Sequence, residues 1–214
     1  MKTLLATALL CCSLALTLFC PGCLTIKQSL VFNQDSSCIM TYEYSFPEEQ
    51  LALWQEVESI LGDKYGEISK SFLDEQSARI FFSDNGLELR QYRQYAKNKL
   101  MHIEIIVLAR DAQKAVNSGI FGDFQLHQDA LGDQLFKGRL NPLPDDLPAA
   151  ALERLQKYAA GLNMSLRLKS PTALIRSNGL SIDYRQTEWA YAWPPQAEAA
   201  SIFAPKPLLL EAKW

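Results

Sequence analysis

A histidine stands among carboxylates once in this chain, in Gly122-Asp123-Phe124-Gln125-Leu126-His127-Gln128-Asp129. On a strand, side chains alternate between faces, so Asp123, Gln125, His127 and Asp129 share one side. Imidazole and carboxylate together suit several divalent ions. The same alternation puts Phe124 and Leu126 on the other side, which makes a polar, solvent-facing strand the better-supported reading. His102 has Glu104 as its same-face neighbour, an ordinary sheet pair. Catalysis there would need a nucleophile, and the chain has no G-x-S-x-G elbow, no G-x-x-x-x-G-K-[ST] loop and no G-x-G-x-x-G turn. The expectation is a protein that is not an enzyme, with no metal and no cofactor.

Two further groups could bind without catalysing. Arg90, Arg93, Lys97 and Lys99 interleave with Tyr92 and Tyr95, a composition able to meet anionic headgroups or an anionic polymer. It equally describes an edge hairpin guarded by charge. Tyr184, Trp189, Tyr191 and Trp193 could line an apolar pocket, although aromatic residues on a strand more often fill a core. The candidate ligand or surface patch is therefore Arg90, Tyr92, Arg93, Tyr95, Trp189 and Trp193. Twenty-one basic against 24 acidic residues, a net charge of −3 and a pI near 5.5 argue against a nucleic-acid partner.

The cysteines are crowded. Cys11, Cys12, Cys20 and Cys23 lie at the start and Cys38 alone in the remainder, which is no disulfide framework. Lys2, the uncharged run Thr3 to Phe19 and then Cys20-Pro21-Gly22-Cys23 have the three parts of a secretory signal. The run falls a little short of the ~20 residues that span a bilayer comfortably. Cys20 and Cys23 form a C-x-x-C, but it straddles the expected cut and is not a redox pair.

These elements must be positioned by the rest of the chain. Leu24 to Asn33 and Cys38 to Phe46 alternate around Asp35-Ser36-Ser37, a hairpin by turn chemistry. Ser45-Phe46-Pro47-Glu48 has capping-box spacing before a helical stripe, Leu51, Trp54, Val57 and Leu61, stopped by Gly62. A second helix is expected over about Glu67 to Ser83, with Asp74 able to restart it as an N-cap. Leu87 to Ala96 and Leu100 to Ala109 form another hairpin across Lys97-Asn98-Lys99. Asp111 caps a short helix, Ala112 to Val116, and Phe121 to Asp129 pairs with Asp133 to Leu140. Pro142-Leu143-Pro144 is a linker, and Ala149 to Ala160 a further helix. Met164 to Lys169 alternates as a strand. Asn178-Gly179 is expected to be a two-residue hairpin turn with positive φ at both positions, feeding one strand from Ile182 to Trp193. Leu208-Leu209-Leu210 could add an edge strand. The reading is α+β: an antiparallel sheet built from hairpins, with about three helices packed on it.

The Cys23 segment resembles the lipobox of bacterial lipoproteins. Gly22 fits the position before the modified Cys, and Cys20 departs from the usual Leu. Nearly all of the remainder resembles the LppM-like domain of bacterial lipoproteins, a group also described as a domain of unknown function. The likeness rests on the hairpin Leu24 to Tyr44, the Asp84-Asn85-Gly86-Leu87-Glu88-Leu89 approach to a long hairpin, Phe121-Gly122-Asp123-Phe124, and Leu166-x-Leu168-x-x-Pro171-x-x-Leu174-Ile175-x-Ser177-Asn178-Gly179 with Trp189 downstream. The resemblance implies a signal peptide over 1–22, an LppM-like α+β domain over 23–193 and a Pro-rich tail over 194–214. It implies lipid attachment at Cys23 and a location in the bacterial cell envelope. In mycobacteria it implies recognition of envelope lipids. The family supplies no catalytic residues. The expected protein is a monomeric, membrane-anchored lipoprotein with a binding or scaffolding domain, partnered by membrane lipid through Cys23 and by an envelope protein or lipid. The alternative is a carrier holding an apolar ligand between sheet and helices.

Overall fold

A computed structural model describes residues 24–52, 73–140, 163–192 and 208–214. Strands hold 57% of these residues and form two sheets. The first is built from hairpins. β1 (Thr25–Phe32) and β2 (Cys38–Pro47) pair in register Thr25↔Ser45 to Phe32↔Cys38. Their period-two pattern buries Gln28, Leu30 and Phe32 opposite Cys38, Met40, Tyr42 and Phe46. The Asp35 carboxylate closes the turn, accepting from the Ser37 amide at 3.0 Å and its hydroxyl at 2.6 Å. β3 (Glu88–Lys97) and β4 (Leu100–Ala109) join through Asn98 and Lys99, with φ 54° and 62°, the left-handed pair a tight hairpin requires.

β7 (Asn163–Lys169), β9 (Leu180–Asp183) and β10 (Gln186–Ala192) complete this sheet, in the order β3-β4-β2-β1-β7-β10-β9. β1 runs parallel to β7, with Thr25 opposite Asn163. The second sheet is β5-β6-β11-β8: β5 (Asp123–Gln128), β6 (Gln134–Leu140), β8 (Arg176–Ser177) and β11 (Leu208–Lys213). Two α-helices lie wholly within the described residues, α1 (Glu75–Asp84) and α2 (Ala112–Asn117). Asp74 caps the first by accepting from the Ser77 amide, and Asp111 the second from Lys114.

The inner faces of the sheets meet through aromatic side chains. Phe136 lies 6.4 Å from Phe32, 5.4 Å from Phe124 and 6.1 Å from Trp189, and Trp214 lies 5.0 Å from Phe32. Each fully buried large apolar side chain contributes roughly 1.5–3 kcal/mol.

This corrects the expected fold class. The hairpins form, but not as one antiparallel sheet under about three helices. Two sheets each carry one apolar face, and packing these faces together buries both, a role the helices were expected to fill. The first sheet is mixed because β7 inserts beside β1. Of the helix expected from the stripe Leu51 to Leu61 only Leu51 and Ala52 are described, and both are helical; the helix expected over 149–160 lies outside the described residues. Ile182 to Trp193 is not one strand: β9 and β10 reverse at Tyr184-Arg185. Leu208–Lys213 is interior, flanked by β6 and β8.

Asn178-Gly179 is not a hairpin turn. β8 belongs to the second sheet and β9 to the first, and neither Asn178 nor Gly179 has positive φ. The pair carries the chain from one sheet to the other. A Cβ on Gly179 would sit 2.5 Å from Thr187 Oγ1 and 2.9 Å from both the Glu188 carbonyl and Trp189 Cε2. The glycine is there for close approach.

Candidate functional site

The first described segment begins at Leu24. Leu24 is already buried, and its carbonyl accepts from the Asn163 amide at 2.8 Å. Cys23, the residue before Leu24 in the sequence, lies outside the described residues. The register makes the neighbouring end of the first sheet explicit: Thr25 lies across from Ser45, Ser45 from His102 and His102 from Tyr95.

Strand β3 is an edge of this sheet, and a bulge between Leu89 and Gln91 sets its phase. Arg90 sits at the bulge and pairs with Glu88 at 3.2 Å, with Arg110 on the same carboxylate at 3.6 Å. Beyond it, Tyr92 turns inward and packs against the core. Arg93 and Tyr95 face outward. Arg93 pairs with Glu104 at 3.8 Å, and the Tyr95 ring stacks on His102 with centroids 5.1 Å apart. Such exposed ion pairs contribute about 0–1 kcal/mol each.

Trp189 does not join this group. It is 3% exposed, on β10 near the opposite edge. Its indole Nε1 donates to Asn178 Oδ1 at 2.7 Å. Trp193 lies outside the described residues. The structure therefore brings together only Arg93 and Tyr95 of the six candidates as an outward patch, with Arg90 beside them.

Asn178 went unnoticed in the sequence as more than a turn residue. Its Oδ1 also accepts from the Glu211 amide at 2.8 Å, and its Nδ2 donates to the Leu209 carbonyl at 3.0 Å. One amide thus ties the crossing segment to β10 and β11.

The strand β5 shows the polar alternation: Phe124 and Leu126 are buried, Asp123, Gln125 and His127 exposed. Its carboxylates already have cations. Asp123 pairs with Arg139, and Asp129 with Lys213 at 2.7 Å, while Asp133 reaches the same ammonium at 3.0 Å. Among the described residues no three His, Cys, Asp or Glu side chains are grouped to hold a metal. Cys38 is buried, and that burial pushes its thiol up to about 12, so it stays protonated and unreactive at neutral pH.

Lys213 holds Asp129 below the ordinary carboxylate value, and Asp129 and Asp133 raise Lys213 in return. Asp35, Asp74 and Asp183 are likewise lowered by bonds from the Ser37 hydroxyl, the Ser77 amide and the Arg185 amide. A depressed carboxylate contributes stability that is complete above its unfolded value, about 4, and is lost as pH falls through its lower folded value. The raised Lys213 contributes below its unfolded value and loses that contribution only as pH rises through its higher folded value. Thermal denaturation from pH 2 to 9 should give a melting temperature that is level near neutrality and falls below about pH 4. Asp129→Asn should blunt that fall. An acid limb identical to wild type would remove the Lys213 cluster from the account.

Two open clefts flank the β1–β2 turn and α2. One, of about 380 Å³, is lined by Phe32, Asn33, Asp111, Leu126, Pro171 and Trp214, among others. The other, of about 400 Å³, runs between Leu87, Arg110, Lys114 and Ile120. No helix among the described residues is long and apolar enough to cross a membrane.

No family model matches the chain, and no curated protein matches it. Among solved structures the fold is similar to the NMR structure of the folded domain of Mycobacterium tuberculosis LppM. The two share 9% sequence identity over 89% of this chain and 88% of that one, with a TM-score of 0.50. The LppM-like resemblance in the sequence is thereby met in the fold, and the likeness is one of fold alone.

Proposed function

We propose that this chain is a bacterial envelope lipoprotein, anchored through acylated Cys23, whose domain binds or scaffolds without catalysing a reaction. The observation that carries the reading is the absence of slack: an apolar run closes on a cysteine, and a buried, paired residue follows it at once. The likeness in fold to the LppM domain supports an exported, tethered module. The domain acts as a monomer on an envelope protein or lipid and not on nucleic acid. A carrier for apolar ligands is the second reading, and it calls for an enclosed apolar cavity. The two clefts are open and lined in part by Asn33, Asp111, Arg110 and Lys114, which favours binding at the surface.

Metabolic labelling with palmitate tests the anchor. One acyl chain binds a membrane only reversibly, whereas two or more hold stably. Wild type should label and stay in the membrane fraction. Cys23→Ser should lose the label and the membrane association, whereas changes at Cys11, Cys12, Cys20 or Cys38 alone should not. Persistent labelling of Cys23→Ser, or an unlabelled soluble wild type, would overturn the reading.

A further inference from the structure

We infer that the tip of the β3–β4 hairpin is a second membrane contact, a headgroup-binding surface for anionic phospholipid that fixes the orientation of the tethered domain. The inference rests on the Cys23 anchor proposed above. Beyond the row Ser45, His102 and Tyr95 come Phe46, Met101 and Ala96, and then, at the end of the sheet toward Leu24, Pro47, Leu100 and Lys97. Asn98 and Lys99 project one step further. Adjacent strands lie about 4.8 Å apart, so the tip stands roughly 14 Å from β1, at the same end as the anchor.

The tip is rigid. Asn98 and Lys99 hold a left-handed turn, and the Lys99 carbonyl accepts from the Glu48 amide at 3.1 Å. Lys97 and Lys99 are exposed and have no ion-pair partner among the described residues, whereas Arg90 and Arg93 on the same strand are paired. Behind them Tyr95 is 45% exposed, flat against His102; an amphipathic ring at this level suits a membrane interface. Glu48 and Glu49, also exposed at this end, keep the long-range field small. The lysines therefore act by contact with phosphates, and the tether supplies the proximity that makes such weak contacts count.

The full-length lipidated protein would be placed in phosphatidylglycerol or phosphatidylcholine vesicles, after mass measurement and flotation confirm acylation and binding. Amide exchange over residues 95–101 should slow on phosphatidylglycerol, by about 5-fold for each engaged lysine, and recover in 0.5 M salt, where the screening length is only about 4 Å. Exchange over 33–37, at the far end of the sheet, should not change. Lys97→Gln with Lys99→Asn, which keeps a residue tolerant of positive φ, should abolish the slowing without lowering the melting temperature. Equal exchange in both lipids, or protection that survives the double substitution, would overturn the inference while leaving the anchor intact. A chain that carries no lipid and does not float would overturn the anchor, and this inference with it.

Discussion

Gly179→Val should destabilise the domain by about 3 kcal/mol or more, a large share of the 5–15 kcal/mol typical of a folded domain. The new side chain would meet Thr187, which is fully buried, the Glu188 backbone and the Trp189 ring. The indole cannot retreat without losing its bond to Asn178, and that amide also holds β11. At roughly 2–4 °C per kcal/mol for a domain of this size, the melting temperature should drop by about 10 °C. Gly179→Asn separates the causes. Asn tolerates positive φ, so a backbone-strain account makes it harmless, whereas the steric account makes it about as costly as Val. Gly86, with φ +70° and open space around it, is the control: Gly86→Ala should cost only the left-handed backbone strain, about 1–2 kcal/mol. A melting temperature unchanged in Gly179→Val would mean that the crossing segment does not press on β10.

A chain ending at residue 207 should not fold cooperatively. It loses β11 from between β6 and β8, so both lose their ladder bonds on that side. It also removes Leu210, Ala212 and Trp214 from the core. Losing a buried Leu costs about 2–5 kcal/mol and a buried Trp about 3–5, a sum that reaches the whole stability of an ordinary domain. Loss of near-ultraviolet circular dichroism and of a sigmoidal urea transition is the expected result. A truncated chain melting within a few degrees of the intact one would show that the second sheet closes without β11.

These two sites also mark how far the sequence could be read. Hairpins were legible because their causes are local: Asp35 and its serines, Asn98-Lys99 and strict alternation in β4. The capping roles of Asp74 and Asp111 were legible for the same reason. Which strand joins which sheet was not, because pairing of β1 with β7 depends on residues far apart in the chain. Asn-Gly misled, since its local preference for a tight turn gave way to a tertiary demand for a residue without a side chain between two sheets. Leu208-Leu209-Leu210 read as an edge because nothing local shows that β8 will arrive on the other side of β11. In the candidate site the sequence grouped Tyr92 with Arg93 and Tyr95, whereas on β3, past the bulge at Arg90, Tyr92 packs on the core and the other two face solvent. Trp189 carried no sequence mark telling a buried indole from a ligand-binding one.

The parallel pairing of β1 with β7 bears on how the protein is made. Contacts between distant parts of a chain slow folding, because loop entropy is lost before the contacts form. Strand β1 emerges first during synthesis and can pair early with β2, yet its other flank stays open until Asn163–Lys169 arrives. Until then β1 keeps an unpaired strand edge, a template for aggregation. Chains unfolded together at high concentration would present these edges to each other. Refolding should therefore lose yield to aggregation as concentration rises, and a chain cut before Asn163 should aggregate more than the intact one.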